Sequence, residues 1–163
     1  MIGRVGAAVL AAALVTGAGP GDVGPYDIPL YATATAPAAK GKARLMFAES
    51  PFGVAVTADG HARYDAQITA AGLPAPSSLG AYHAYVAWAV SSDLSQWQRL
   101  GVVTNGQSTV GDVTMDKFLL VITAERDSAA ATHGGPSVLH GSSPSTFLQV
   151  FQSHTAFFHG VTD

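Results

Sequence analysis

The stretch AYHAYVAWAV, residues 81–90, decides how this chain is read. Side chains of a strand alternate between two faces. That puts Tyr82, Ala84, Val86, Trp88 and Val90 on one face, and His83, Tyr85, Ala87 and Ala89 on the other. Both faces are largely apolar. A ligand platform keeps its aromatic rings exposed among polar or cationic neighbours, whereas small and β-branched residues surround Trp88, as in the middle of a packed sheet. The row therefore reads as the inside of a fold, with Trp88 enclosed between two layers of antiparallel strands. Tyr85 and His83 are its members best placed to reach a polar partner.

Outward from this strand, short apolar runs alternate with turn signals, the spacing of an all-β sandwich. ARLMFA, 43–48, stops at Ser50-Pro51. GVAVTA, 53–58, meets ARYDAQITA, 62–70, across Asp59-Gly60, where glycine tolerates positive φ. In the second run Tyr64, Ala66, Ile68 and Ala70 face one way and Arg63, Asp65, Gln67 and Thr69 the other, so one face is wet. GLPAPSSLG, 72–80, is a loop. WQRLGVVT, 97–104, reaches Asn105-Gly106, the strongest hairpin signal in the chain, from which QSTVGDV returns. KFLLVITAE, 117–125, is apolar on both faces and predicts a central strand. A loop, 126–136, leads to the short strand SVLHG. After Ser143-Pro144, the residues Phe147, Val150, Phe151, His154 and Phe158 lie at helical spacing and predict a terminal amphipathic helix.

The 163 residues suffice for one core, and charged residues make up only 12% against 48% apolar, which excludes a solvated disordered chain. A net charge of -3 offers no electrostatic pull toward phosphate backbones, so no nucleic-acid partner is expected. With no cysteine there is neither a disulfide framework, a thiolate zinc site nor a cysteine nucleophile. The start is export-like: MIGR is short and basic, and VGAAVLAAALVTGA follows it. That run of about 14 apolar or small residues matches a secretory core of roughly 7 to 15 and falls short of the ~20 that span a bilayer. Residues 1–18 are thus read as a signal peptide and 19–42, rich in Gly, Pro, Ala and Thr, as a flexible linker. The sandwich domain runs over 43–141, and 142–163 form the helix and tail.

Four motifs stand in a telling order: GLPAP at 72–76, YVAW at 85–88, RLGVV at 99–103 and LVITAERDSAAATHGGPSVLHG at 120–141. In this combination the chain resembles the extracytoplasmic C-terminal domain of anti-sigma-K factors, over roughly residues 53–141. The resemblance implies a small β-sandwich with a sensing, binding or structural role and no known catalysis. Such factors carry a sigma-binding domain ahead of a spanning helix; here only four residues precede the apolar run. Sigma-factor inhibition is therefore not expected of this chain.

Six histidines in a cysteine-free exported chain raise copper or zinc binding. The candidate ligands are His133 and His140, flanking GGPSVL, with His154 and His159 near the end. Neither spacing is a ligand signature, since five residues on a helix set a pair about 140° apart. For hydrolysis there is no GxSxG elbow, and Ser142 and Ser143 lie in a turn before the final helix. Glu125 is expected to pair with Arg126 or Arg99 at the rim of the sandwich. FLQVFQSHTAFFHG is more apolar than a solvated tail needs and is expected to cover an open edge or end of its own domain, a partner or a membrane interface being the alternatives.

The residues thus predict an antiparallel β-sandwich, immunoglobulin-like or similar, closed by a short C-terminal helix. Its expected role is that of an exported, non-catalytic interaction or sensing module, periplasmic, extracellular or cell-surface. Its partner would be a protein or envelope component, with a membrane touched only through an uncleaved N-terminal segment, and its contact surfaces loops 72–80, 91–96 and 126–136. No cofactor is expected; the alternative is a periplasmic copper- or zinc-binding protein using the four histidines.

Overall fold

Eight strands carry the chain: β1 (Asp27–Ala32), β2 (Lys40–Phe47), β3 (Tyr64–Ala71), β4 (Ala84–Ser91), β5 (Trp97–Val103), β6 (Gly106–Val113), β7 (Phe118–Glu125) and β8 (Ser137–Ser142). They are seen in a computed structural model that describes residues 24–51, 55–58, 60 and 63–144. The expected signal peptide and the helix after Pro144 lie outside the described residues. One short 3-10 turn, Pro76–Leu79, interrupts the loop after β3. The fold is all-β and antiparallel, a single sheet in the order β5-β4-β7-β8-β1-β2-β3-β6.

That sheet curls until its two edges meet, so it is nearly closed into a barrel. β5 and β6 follow one another across Thr104-Asn105, yet they share no ladder and stand at opposite ends of the strand order. The chain bends at Asn105, with Gly106 at φ 99°, but the paired hairpin expected there does not form. The seam is bridged by side chains instead. Gln98 Nε2 donates to the Asp112 carbonyl at 2.6 Å, and its Oε1 accepts from Thr114 Oγ1 at 3.4 Å. Lower down, Val110 packs directly against Gly101, where a Cβ would stand 3.1 Å from the Val110 methyl. Asn105 locks the top of the seam by bonding both the N–H (3.0 Å) and the carbonyl (2.9 Å) of Leu73.

The segment read as a linker, 19–42, holds β1 and the first residues of β2, so the domain begins well before residue 43. Ile28 and Leu30 alternate into the core at 0% and 6% exposure. Pro29 and the small residues after it hid this short period. β1 is also the strand that carries the curl: Asp27–Leu30 pair with β2, whereas Tyr31 and Ala32 pair with β8. Pro29 lacks an N–H to give a second ladder. Gly141 on β8 lies so close to it that a Cβ would stand 2.3 Å from the Pro29 carbonyl oxygen.

The core inside the curl is built by alternation. β3 contributes Ala66, Ile68 and Ala70, as the sequence required, and β7 contributes Phe118, Leu120, Ile122 and Ala124. From β4 the inward residues are Tyr85, Ala87 and Ala89. Val86, Trp88 and Val90 form a second cluster with Val121. Trp88 is fully buried, but on the outer face of the sheet. The enclosing layer expected for it is not another sheet.

Candidate functional site

What covers Trp88 is the loop 126–136. It does not project from an end of the domain, as expected for a sandwich loop, but lies back over the outer face of β4 and β5. Two kinds of interaction hold it there. The first is a stack: the His133 ring lies parallel to that of Trp97, with centroids 3.5 Å apart and planes 10° off, while Trp88 meets both rings edge-on at 6.2–6.4 Å. Trp97 reaches this position from the start of β5, and its Nε1 donates to the Leu94 carbonyl at 3.2 Å. The second is a run of hydrogen bonds through the outer face of β7.

That run starts at the indole. Trp88 Nε1 donates to Thr123 Oγ1 at 2.8 Å, and Thr123 Oγ1 donates to Glu125 Oε1 at 2.6 Å. The same carboxylate oxygen accepts from the backbone N–H groups of Gly134 (3.1 Å) and Gly135 (3.4 Å). Thr123 and Glu125 are 2% and 4% exposed. A carboxylate taken out of water is costly unless its lone pairs find donors, and these donors supply that requirement. The ion pair expected between Glu125 and Arg126 or Arg99 at the rim is replaced by this arrangement. Arg99 instead donates through Nη2 to the Ser128 carbonyl at 2.6 Å, tying down the near end of the same loop.

Gly135 is required by close approach. A Cβ on Gly135 would stand 1.6 Å from the Ala124 carbonyl oxygen and 3.0 Å from the Tyr82 ring. Pro136 then returns the chain to β8, its carbonyl accepting from Ala124 N at 3.0 Å. On the far side, His83 N donates to the Glu125 carbonyl at 2.8 Å. Tyr85, inside, donates its hydroxyl to the Pro74 carbonyl at 2.8 Å, so loop 72–80 is pinned to the same end of the barrel. The expectation that Tyr85 finds a polar partner thus holds although the residue is buried.

The loop 91–96 is knotted around Asp93, whose carboxylate accepts from Ser91 Oγ (2.6 Å) and Ser95 Oγ (2.8 Å). Those hydroxyls, and the Ser95 N–H with them, hold its carboxyl at about 2. Leu94 protrudes from this loop at 58% exposure, next to the Trp97–His133 stack.

Of the four candidate metal ligands, His133 is engaged in the stack and exposed, over β4 and β5. His140 lies on β8 beside Tyr31, ring centroids 6.3 Å apart, with β7 between it and β4. His154 and His159 lie outside the described residues. Among the described residues no group of three His, Cys, Asp or Glu stands together as a cation site would require. Ser143 is fully buried: its Oγ accepts from Phe118 N at 3.2 Å, and its own N–H donates to the Phe118 carbonyl at 2.9 Å.

Sequence reasoning passed over Thr123 and gave Glu125 the wrong partner. The available signal was polarity on the outer side of β7, where Thr123 and Glu125 sit in register with an otherwise apolar strand. Compared with known proteins, the chain matches no family model, no curated protein and no solved structure.

Proposed function

We propose that this protein is an exported, non-catalytic interaction or sensing module of the cell envelope, similar in type to the extracytoplasmic domain of anti-sigma-K factors. Its working surface is the loop 126–136 laid over β4 and β5. One observation carries this reading: the loop is fixed from beneath by the buried Trp88–Thr123–Glu125 run, while its upper side, with His133 on Trp97 and with Leu94 and Arg99 at the margin, faces solvent. A loop ordered in advance loses little further freedom when it docks, which favours binding. Glu125 directs its lone pairs at loop donors, the role of a structural acceptor. The sandwich reading of the fold is supported by β1, which splits the curled sheet into a layer with β2, β3 and β6 and another with β8, β7, β4 and β5.

The test is site-specific crosslinking in the native host. A photoreactive residue at position 133 is expected to give a discrete adduct in the exported fraction, which Leu94→Asp abolishes. The same residue at position 107, on β6, is expected to give none. No adduct at 133, or equal adducts at both positions, would overturn the proposal.

A further inference from the structure

We infer that the outer side of β1, β2 and β3 binds an acidic polysaccharide, its sugar rings laid along β2 and its carboxylates met by Lys40 and Lys42. These strands form the half of the sheet opposite the one that carries the loop 126–136. The inference therefore stands independently of that loop and its partner.

The alternation that buries Ala43 and Leu45 on β2, and Ile68 and Ala70 on β3, turns Lys40, Lys42, Arg44, Gln67 and Thr69 outward. Antiparallel register then sets them in rows. Pro29, Lys42 and Thr69 stand side by side, with Asp27, Arg44 and Gln67 in the next row. Two surface depressions result. One, of about 160 Å³, lies between Asp27, Lys42, Arg44, Gln67 and Thr69. The other adjoins it at Lys42 and Thr69 and continues past Lys40 to Ala71. Together they make a trough along β2 from Arg44 to Lys40, roughly 14 Å long at the rise of a strand. Neither depression includes a residue of β6.

Charge along this trough is uneven. Arg44 commits its guanidinium to Asp27, Nε to Oδ1 at 2.7 Å and Nη2 to Oδ2 at 3.1 Å. Lys40 and Lys42 are exposed, and among the described residues neither has an ion-pair partner. Their backbone positions are about 7 Å apart on one side of β2. A local excess of positive charge thus stands on a chain whose net charge is -3. It draws an anion that repeats along a chain, but two cations are too few to hold a phosphate backbone at physiological salt.

The neutral groups point to sugars. A sugar ring presents hydroxyls that both give and accept hydrogen bonds, together with faces of C–H groups. The Gln67 amide and the Thr69 hydroxyl likewise give and accept. Tyr31, one residue past the Leu30–Gly41 pair and hence beside Lys40, is 60% exposed. It offers an apolar ring face with a polar tip. Tyr31 also packs at 6.3 Å from the His140 ring, which limits its freedom before a ligand arrives. An acidic peptide finds less to hold, since β2 is paired on both sides and has no open edge for an extended chain to join.

Isothermal calorimetry of the full chain with polygalacturonate tests this. Binding is expected, and Lys42→Gln should weaken it about fivefold through loss of one exposed charge pair. Tyr31→Ala should weaken it about fivefold through loss of the ring face. Lys117→Gln removes the same charge ahead of β7 and should leave binding unchanged. All three side chains are exposed, so the variants keep the fold, which thermal melting checks. The methyl-esterified polymer, which keeps the sugars and loses the charges, should bind more weakly than polygalacturonate. No binding of polygalacturonate, indifference to Lys42→Gln or to Tyr31→Ala, or an equal loss in Lys117→Gln would overturn the inference. So would equal binding of the methyl-esterified polymer, or poly-L-glutamate bound as tightly as polygalacturonate, which would assign the trough to acidic protein segments.

Discussion

Removing the Glu125 carboxylate should loosen the loop 126–136 and destabilise the whole domain, by an amount that follows from its partners. Oε1 is the only carboxylate oxygen through which Thr123, Gly134 and Gly135 are held. In Glu125→Ala the Thr123 hydroxyl, 2% exposed, loses its acceptor, and an unsatisfied buried donor costs about 1–3 kcal/mol. Gly134 is exposed and can turn its N–H to water, so its loss costs less, and the 3.4 Å bond from Gly135 less again. The sum is about 3 kcal/mol. Glu125→Gln retains Oε1 and exchanges charge-assisted hydrogen bonds for neutral ones of roughly half the strength, so it should cost about 1 kcal/mol. Thr123→Val strands the fully buried Trp88 Nε1 and should approach the cost of Glu125→Ala. The double variant should cost clearly less than the sum of the two, because both act through one run of hydrogen bonds. Urea unfolding followed by tryptophan fluorescence measures all four, since Trp88 and Trp97, the only tryptophans, both lie under or against the loop. Glu125→Ala within 1 kcal/mol of the parent, or Glu125→Gln as damaging as Glu125→Ala, would refute the assignment of this oxygen as the loop's anchor.

Gly135→Ala forces a Cβ onto the Ala124 carbonyl and is expected to cost about 3 kcal/mol or more, read by the same unfolding curves, while Gly106→Ala meets no atom within 4 Å and costs only the strain of its positive φ. Arg44, donating to Asp27 through Nε at 2.7 Å, together with the Gly24 N–H, lowers the Asp27 carboxyl from its ordinary value to about 2. Because the folded value lies below the unfolded one, the stability that Asp27 adds is fully present above about pH 4 and is lost as pH falls toward 2. The difference in melting temperature between the parent and Asp27→Asn should shrink over that interval and stay constant above it. A calorimetric titration with copper(II) or zinc(II) examines the alternative role of His133, His140, His154 and His159. The interaction-module reading predicts no stoichiometric micromolar binding, and binding lost on His140→Ala would favour the metal role instead.

Strand class and most of the core are legible in the residues alone. The alternation in β3 and the doubly apolar β7 each follow from local side-chain periodicity, which needs no distant partner. Which face of β4 looks inward is settled by packing in three dimensions. Both faces are apolar, so the pattern is symmetric, and the choice depends on whether a sheet or a loop provides the cover. The same holds for β1, whose two core residues are legible only once β2 and β8 are placed beside it. It holds too for Glu125, since a carboxylate next to Arg126 in sequence reads as half of a surface pair. Its real partners, Thr123 and the Gly134-Gly135 amides, reach it through strand alternation and a loop that folds back, relations that exist in space and not along the chain.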